Sequence, residues 1–323
     1  MNSPSIAVII PCYKVGEQIL SVIEQIPACV QAVYVVDDHC PQRTAELVRA
    51  RCSDSRVRVI ELEVNLGVGG AVMAGYKAAL HDGHDILVKL DGDGQMDPAL
   101  IPILCEPIVS GHADYTKGNR FFDLRKILEM PKIRIFGNAL LSFFSKISSG
   151  YWHLFDPNNG YTAIHAHVAS HLPMDKISRR FFFESDMLFR LNTLKAVVQD
   201  IPMDAKYGEE ISNLKIKSII FEFLAKHAKN AFKRIIYNYY LRDMTVGSLE
   251  LPIGLAMLLY GFGFGAFTWM NAIAHEAATP TGTIMIPVLL ILVGLNLLLA
   301  FVAGDIASVP TQVMHTRISK RRI

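Results

Sequence analysis

Two long stretches near the C-terminal end carry no charged side chain, and they constrain the fold more than any other feature of the chain. They cover residues 251–274 and 284–304. At 1.5 Å per residue, a helix of either length crosses a hydrocarbon layer of about 30 Å. The alternative, two buried core helices of a soluble protein, fits uncharged stretches of this length poorly. The sequence therefore predicts two membrane-spanning helices.

The charges that flank these spans predict their orientation. The loop between them, residues 275–283 (HEAATPTGT), has no Lys or Arg, whereas basic residues gather within 206–242 and 317–322. Positively charged flanks favour the cytoplasmic side of a membrane. We therefore expect both termini and the preceding domain on the cytoplasmic side, with loop 275–283 opposite and residues 305–323 as a basic cytoplasmic tail.

Residues 216–245 are expected to form a juxtamembrane amphipathic helix. The stretch mixes apolar and aromatic residues with Lys and Arg, and Glu222 is the one acid before its last few residues. Such a helix beside a span suits the headgroup plane, and a helix packed on a sheet is the alternative. For the similar stretch 130–155 the sequence favours neither the headgroup plane nor packing on the sheet. Asn296, inside the second span, suits pairing with a partner helix, which leaves a homo-oligomer open.

The composition of the chain limits the classes of molecule that it is expected to bind. Hydrophobic residues make up 51% of the 323 positions and charged residues 19%, which suits a chain that partly meets lipid. The basic segments contain no nucleic-acid motif, so membrane lipids are expected and nucleic acid is not. All five cysteines lie in the first third without paired or metal-ligand spacing, which predicts a reducing compartment and no disulfide framework.

The first part of the chain alternates short apolar runs with helical patterns. The runs are 6–11, 32–38, 57–63 and 85–91. Nearly continuous Val, Ile and Leu is typical of strands buried on both faces of a parallel sheet. We therefore predict a mostly parallel, Rossmann-like α/β sheet domain over residues 1–215. Ligands of such sheets bind at the carboxyl ends of the strands.

Chemically distinctive residues stand at those strand ends. They are Pro11 and Tyr13, Asp37 and Asp38, Asn65 and Gly67, and Asp91 and Asp93. Four strand ends that share one crevice can line a nucleotide. Asp38 can accept hydrogen bonds from its base or ribose, while one acid of the Asp37–Asp38 pair caps the next helix. The glycines of NLGVGGA permit close backbone approach, which suits a phosphate or tight packing equally.

The string LDGDGQ predicts a divalent-cation site. Asp91 and Asp93 bring two like charges together, which is unfavourable unless a positive charge joins them. Mg²⁺ and Mn²⁺ bind through one or two carboxylates plus substrate phosphates. Asp93 and Gln95 alternate along the chain, so both can face one ion, while Asp91 reaches the same ion or the ribose. Aspartyl-phosphate phosphatases share the DGDG string, but their nucleophile usually lies on the first strand and precedes Thr.

The four strand-end motifs resemble those of a known family. In this order and spacing, VIIPCYKVGEQI, VVDDHCPQRTAEL, NLGVGGAVMAGYKAAL and KLDGDGQMDP resemble the nucleotide-sugar half of family-2 glycosyltransferases of the GT-A fold. The later GNRF, DPNNGYTAI and FFFESDMLFRL, with the paired spans, are similar to the polyprenyl-phosphate branch typified by dolichyl-phosphate mannose synthase. The resemblance implies a nucleotide-sugar donor, Mg²⁺ or Mn²⁺ on its diphosphate, and inversion at the anomeric carbon. Lys14, His39 and Cys40 depart from the family pattern and leave the base and sugar open.

The resemblance also implies residues for the phosphates and the acceptor. Lys117 and Arg120 stand where the family places a basic residue near phosphate groups, and solvated loop charges are the alternative. Asp156, Glu184 and Asp186 are the candidate catalytic acids. A hydroxyl acceptor needs a base, whereas a phosphate anion needs no strong one. Glu184 and Asp186 would point the same way on a strand and diverge on a helix.

These expectations combine into one function with two alternatives. The first is a membrane-bound, metal-dependent, inverting glycosyltransferase that loads a polyprenyl phosphate at the cytoplasmic face. The alternative acceptor is a hydroxyl of a lipid-linked saccharide or glycolipid. The second alternative is a non-catalytic, nucleotide-binding membrane scaffold, which would have no need to keep two acids at an ion site.

Overall fold

A computed structural model of the protein describes residues 4–122, 132–203 and 216–319, with backbone alone at 132–134, 216–220 and 317–319. The chain divides into two compact units. The first is Met1–Ala231 together with Pro310–Ile323, and the second is Phe232–Val309.

The first unit is built on a sheet of seven described strands. They are β1 Ile6–Cys12, β2 Val30–Asp37, β3 Val57–Glu61, β4 Ile86–Lys89, β5 Tyr115–Asn119, β6 Thr162–His165 and β7 Val198–Pro202. Their order is β3-β2-β1-β4-β6-β5-β7, and β6 runs antiparallel to both of its neighbours while the other pairs are parallel. The predicted mostly parallel α/β sheet is confirmed, with its first four strands in the predicted places.

Helices of the first unit connect and follow these strands. They are α1 Gln18–Glu24, α2 Thr44–Arg51, α3 Val68–His81, α4 Ile101–Val109, α5 Lys132–Ser149, α6 Ala166–Ser170, α7 Phe183–Thr193, α8 Ile216–Ile235, which runs on into the second unit, and α11 Met314–Ser319. Every residue of β1 is buried. Ile19, Val22 and Ile23 give α1 an apolar stripe at helical spacing, and that stripe joins the same core.

Gly75 lets α3 lie directly on the sheet. A Cβ at this position would overlap Ile9 Cγ2 and come within 3.2 Å of Val36 Cγ2. We expect Gly75→Ala to lower the free energy of unfolding by about 1–3 kcal/mol, because overpacking a filled core forces neighbours to move. Denaturant unfolding measures the change. Gly137→Ala is the matched control, since Gly137 is also helical but has open space around it. It should gain up to about 1 kcal/mol from helix propensity, and equal effects of the two variants would contradict the packing argument.

The second unit contains two helices long and apolar enough to cross a membrane. They are α9 Gly247–Ala274 and α10 Thr281–Ala307. The two helices pack closely at Gly254 and Gly294, where a Cβ on Gly254 would lie 3.0 Å from the Gly294 carbonyl oxygen. Small residues at such a crossing let two helix backbones approach. Asn296 donates from Nδ2 to the Leu292 carbonyl of its own helix, at 2.9 Å.

A buried ion pair ties the start of the second unit to the end of α10. Arg234 donates from Nη1 and Nη2 to the two carboxylate oxygens of Asp305, at 2.6 and 2.9 Å. The Tyr239 hydroxyl donates to the same carboxylate at 2.7 Å. All three side chains are buried. The segment before the first span and the end of the second are thereby joined by charge and hydrogen bonds.

Asp114 holds the C-terminal segment in the first unit. Its carboxylate accepts hydrogen bonds from the backbone N–H groups of Met314 and His315, and from Val197 N–H at 2.9 Å. Burial alone would raise the pKa of Asp114, but these hydrogen bonds, with that from the His315 ring, outweigh it and lower the pKa. Asp114 therefore links β7 and α11.

Candidate active site

A cavity of about 1330 Å³ opens at the carboxyl ends of β1, β2 and β4 in the first unit. Eight of the predicted site residues line it. They are Pro11, Tyr13, Asp38, Asn65, Gly67, Asp91, Asp93 and Glu184. Residues of α5 and α8 complete the lining with what we call the apolar wall, formed by Leu140, Leu141, Phe144, Phe223 and Leu224. One cavity therefore combines carboxylates from strand ends with an apolar surface from two helices.

The two acids after β2 have separate tasks. Asp37 accepts hydrogen bonds from Cys40 N–H at 2.7 Å and Ala45 N–H at 2.8 Å, which secures the start of α2. Asp38 accepts from Leu66 N–H at 2.6 Å and Gly67 N–H at 2.8 Å. Asp38 thus shapes the loop before α3 while it also lines the cavity.

The glycines at the start of α3 serve tight packing. Gly69 and Gly70 donate from their backbone N–H groups to the Arg179 carbonyl, at 2.8 and 3.3 Å. A Cβ on Gly67 would lie 2.6 Å from that oxygen. The sequence suits a phosphate contact and tight packing equally. The structure shows tight packing, of α3 against the segment before α7.

Asp91 and Asp93 form the acidic part of the cavity. Asp91 Oδ1 accepts from Lys89 Nζ at 2.9 Å, and Asp93 Oδ1 accepts from the backbone N–H of Gln95 at 3.0 Å. Gly94, with φ of 74°, makes the turn that this second contact needs. Gln95 is not among the lining residues. It reaches the acidic pair through its backbone, which fixes the Asp93 side chain.

Lys89 joins the acids, and sequence reasoning missed it. Its side chain is 1% exposed, and Nζ lies 3.5 Å from Glu184 Oε1 as well as near Asp91. Burial alone would lower the pKa of Lys89, but the two acids outweigh it and raise the pKa. Burial raises the pKa of Glu184, and the Lys89 charge offsets part of that rise. The one available signal was a lysine ending the otherwise apolar strand ILVK.

The side chains of Glu184 and Asp186 point in different directions, because the two residues are two positions apart on one helix, α7. Glu184 lines the cavity, whereas Asp186 is not among its lining residues. Asp186 Oδ2 accepts from Ser178 N–H, and Oδ1 accepts from Asn230 Nδ2, each at 2.8 Å. Asp186 thus connects α7 to α8. Of the two arrangements that the sequence allowed for these acids, a strand or a helix, the structure has the helix.

Lys117, Arg120 and Asp156 lie together but outside the cavity lining. Arg120 donates from Nε and Nη2 to the two carboxylate oxygens of Asp156, each at 2.8 Å. Lys117 Nζ is buried and donates to Asp200 Oδ1 at 2.8 Å and to the Phe155 carbonyl at 2.5 Å. The three residues secure the segment that leads to Asn158, which does line the cavity.

The ionised form of Asp156 is expected to stabilise the fold. Burial alone would raise its pKa, but Arg120 outweighs burial and lowers the pKa. Asp156→Asn should lower the free energy of unfolding at pH 7 by about 2 kcal/mol, the size of a hydrogen-bonded charge. A lowered folded-state pKa stabilises above the unfolded value of about 3.9 and is lost as pH falls through the folded value. The difference from the wild type should therefore shrink below about pH 4 in denaturant titrations. A difference independent of pH would contradict this role.

The residues present fit a divalent cation held jointly with a substrate. Within the described ranges, no three or more His, Cys, Asp or Glu side chains group as a metal site. Mg²⁺ and Mn²⁺ do not need such a group where substrate phosphates supply the other oxygens. Asp91 and Asp93 both line the cavity, and the Asp91 side chain is 30% exposed. Both residues thus line the space where a diphosphate and its ion would bind.

His227 on α8 was likewise missed. Its Nδ1 lies 2.7 Å from Ser148 Oγ, and its ring packs edge-on against Phe182 at 4.8 Å between centroids. It lines the cavity beside the apolar wall, and burial lowers its pKa to about 4. The imidazole is therefore neutral at physiological pH. Its Nε2 is buried and has no hydrogen-bond partner among the residues that the structure describes.

Known proteins are similar to this chain in sequence. The undecaprenyl-phosphate mannosyltransferase of Micrococcus luteus is 32% identical over 173 residues, which cover 53% of this chain and 70% of that protein. The UDP-N-acetylglucosamine–dolichyl-phosphate N-acetylglucosaminyltransferase of Methanococcus voltae is 27% identical over 223 residues, 65% and 88% of the two chains.

A solved structure shows the same fold. Glucosyl-3-phosphoglycerate synthase from Mycobacterium tuberculosis in complex with UDP matches with a TM-score of 0.55 and 18% identity, over 71% of this chain and 80% of that one. The same enzyme with Mn²⁺, UDP-glucose and phosphoglyceric acid matches with a TM-score of 0.52 and 20% identity, over 70% and 80%. The sequence profile of glycosyl transferase family 2 matches residues 7–172, just over half of the chain. The chain belongs to glycosyl transferase family 2.

Proposed function

We propose that the protein is a membrane-bound, metal-dependent, inverting glycosyltransferase that moves a sugar from a nucleotide-sugar donor to a polyprenyl phosphate at the cytoplasmic face. One observation carries the proposal: a single cavity is lined by strand-end carboxylates and by the apolar wall of α5 and α8. The carboxylates suit a cation that in turn binds a diphosphate, and the apolar wall suits the chain of a lipid. The relatives named for undecaprenyl phosphate and dolichyl phosphate support the same pair of substrates.

The donor is assigned to the strand ends. Pro11, Tyr13, Asn65 and Gly67 line the part of the cavity at β1 and before α3, with Asp38 fixing that loop, and there they contact the nucleoside. Asp91 and Asp93 would hold Mg²⁺ or Mn²⁺ together with the donor diphosphate. When bound there, such a cation would offset the negative charge that develops on the leaving nucleoside diphosphate. Lys89 keeps Asp91 in place and balances the charge of Glu184.

The acceptor is assigned to the apolar wall. An oxygen of the lipid phosphate attacks the anomeric carbon, the bond from that carbon to the diphosphate breaks, and the nucleoside diphosphate leaves with the bonding electron pair. An anionic phosphate oxygen needs no strong base. Glu184, paired with Lys89, then acts by position and charge. If the acceptor were a sugar hydroxyl, Glu184 would be the base, because it is the one candidate catalytic acid that lines the cavity.

Contacts with the membrane are assigned to α5 and α8 in the first unit and, separately, to the two spans. Phe136 and Phe143 on α5 are 70% and 50% exposed, and Phe221 on α8 is 74% exposed. Aromatic rings exposed on basic amphipathic helices suit the headgroup region of a bilayer. We assign residues 216–245 to this juxtamembrane layer and place residues 305–323 and the catalytic domain on the cytoplasmic side, with loop 275–283 opposite.

Release of nucleoside diphosphate tests the proposal. The detergent-purified full chain is given a panel of nucleotide sugars with Mn²⁺, with and without undecaprenyl phosphate. We expect one donor to release its nucleoside diphosphate only when the lipid phosphate is present, and chelation by EDTA to stop release. Release that depends on a lipid-linked saccharide instead would favour the hydroxyl acceptor. Binding of a donor without release of its nucleoside diphosphate, whichever acceptor is supplied, would favour the scaffold.

A further inference from the structure

Gly160, in the stretch DPNNGY, lies against the acidic part of the cavity. A Cβ on Gly160 would overlap Lys89 Nζ and lie 3.0 Å from Asp91 Oδ2. The φ angle of Gly160 lies outside the left-handed region, so a residue with a side chain could adopt the same backbone. The feature that requires glycine here is therefore the space that the lysine ammonium group occupies.

The chain on both sides of Gly160 is held in place. Asn159 Oδ1 accepts from the Tyr161 N–H at 3.0 Å, and the Tyr161 carbonyl accepts from the Gly118 N–H at 2.8 Å. The Tyr161 hydroxyl donates to the Asp97 carbonyl at 2.9 Å, which connects this stretch to the loop after β4. Because these bonds hold the backbone beside Gly160, a side chain added there would displace the ammonium group rather than the backbone.

Lys89 has little freedom to absorb such a displacement. Its side chain is 1% exposed, and Nζ lies 2.9 Å from Asp91 Oδ1 and 3.5 Å from Glu184 Oε1. All three residues line the cavity. A charged hydrogen bond restricts the carboxylate that accepts it, so a shift of Nζ would also change the orientation of Asp91.

We propose that Gly160 is a positioning residue for the cation site and acts through Lys89. The missing Cβ leaves room for the ammonium group, and the ammonium group orients the Asp91 carboxylate. This role rests on the proposed function, in which Asp91 would be a ligand of Mg²⁺ or Mn²⁺, and it gives the glycine of DPNNGY a task there. Groups that orient a metal-ligating side chain change metal affinity or activity by about 10- to 100-fold when they are lost.

Charge and orientation predict opposite effects at this site. Loss of the Lys89 charge alone would leave the acids more negative and tighten the binding of a cation. Loss of the orientation would weaken that binding. Gly160→Ala keeps every charge and displaces the ammonium group, so weaker Mn²⁺ binding in this variant reports orientation. Lys89→Met removes the charge and the hydrogen bond together.

Binding of Mn²⁺ without turnover tests this role. Electron paramagnetic resonance of free Mn²⁺ gives the Kd of Mn²⁺ for the full chain in detergent, with UDP or GDP as the diphosphate. We expect Gly160→Ala to raise this Kd about tenfold, and Lys89→Met to raise it less, because the lost charge offsets part of the lost orientation. In sugar transfer, Gly160→Ala should need about tenfold more Mn²⁺ for half of its maximal rate, with the KM for undecaprenyl phosphate within about twofold of the wild type.

Gly75→Ala is the matched control for the added methyl group. A Cβ on Gly75 would also overlap a neighbour, Ile9, but Gly75 is not among the lining residues. The variant should lose stability and keep the Kd of Mn²⁺ within about twofold of the wild type. An equal rise of the Kd in Gly75→Ala and Gly160→Ala would assign the effect to general loss of packing and overturn the role of Gly160.

Two other results would overturn this role and leave the proposed function standing. The first is a folded Gly160→Ala variant with the Kd of the wild type. The second is tighter or unchanged Mn²⁺ binding in Lys89→Met, which would show that Lys89 acts through charge alone; this variant also decides the question if Gly160→Ala does not fold. A wild type that neither binds Mn²⁺ with UDP or GDP nor transfers sugar would overturn the proposed function as well.

Discussion

Replacing Asp93 with Ala is expected to lower kcat for sugar transfer by about a thousandfold or more, because the cation that we propose at this site would then lose one of its two carboxylates. Asp93 lines the cavity, its carboxylate accepts from the Gln95 N–H, and it lies outside the strands, so the variant removes a proposed cation ligand without changing a strand residue. Binding of the nucleotide sugar should lose its dependence on Mn²⁺. Initial rates and calorimetric titration with and without Mn²⁺ measure the two effects.

A nearby acid provides the control for Asp93. Asp97 lies four residues further along, caps the short helix Pro98–Leu100 by accepting from Ala99 N–H, and is not among the lining residues. Asp97→Ala should lower stability by about 1 kcal/mol through the lost cap and leave kcat within about twofold. An Asp93→Ala variant that keeps more than about a tenth of the wild-type kcat would contradict the metal assignment.

Replacing Asp305 with Ala is expected to lower the free energy of unfolding of the second unit by about 3–5 kcal/mol. The variant removes the hydrogen bonds that the carboxylate receives from Arg234, and it leaves a buried guanidinium without this countercharge. It also removes the acceptor of the Tyr239 hydroxyl. Unfolding of the full chain in mixed detergent micelles, followed by near-ultraviolet circular dichroism, measures the loss.

A double variant and a surface pair sharpen the test on Asp305. Arg234→Met with Asp305→Leu replaces both charges by apolar side chains, and it should recover most of the stability, because the cost comes from the uncompensated charge. Asp243→Ala removes one partner of Arg242 in a partly exposed pair and should cost no more than about 1 kcal/mol. Equal losses for Asp305→Ala and Asp243→Ala would show that burial of the first pair has no energetic consequence.

The strand pattern was predictable because it is local. Continuous apolar runs gave β1 to β4, and the residues that follow them line the cavity since carboxyl ends of parallel strands meet at one edge. The antiparallel β6 was not predicted, because four residues of a short run carry no signal for direction. The length and lack of charge of 251–274 and 284–304 sufficed to predict α9 and α10.

The parts of the site that escaped prediction depend on long-range contacts. Arg120 and Asp156 are 36 residues apart, and each satisfies the charge of the other. No local feature of their motifs indicates that pairing. The sequence therefore predicted a contact with phosphate groups for Arg120 and a catalytic role for Asp156. His227 likewise makes its side-chain hydrogen bond with Ser148, which lies on another helix, 79 positions away. Lys89 differs, since a lysine at the end of a buried strand is itself a signal that an acid partner lies nearby.

The identity of the lipid product tests the central claim most directly. The full chain in detergent is incubated with the responsive nucleotide sugar, Mn²⁺ and undecaprenyl phosphate, and the extracted lipids are analysed by mass spectrometry and by phosphorus NMR. We predict a lipid whose phosphate carries one sugar as a phosphodiester, formed in equal amount with the nucleoside diphosphate and absent with Asp93→Ala. A sugar found on a hydroxyl of a lipid-linked saccharide, with undecaprenyl phosphate left unmodified, would contradict the account.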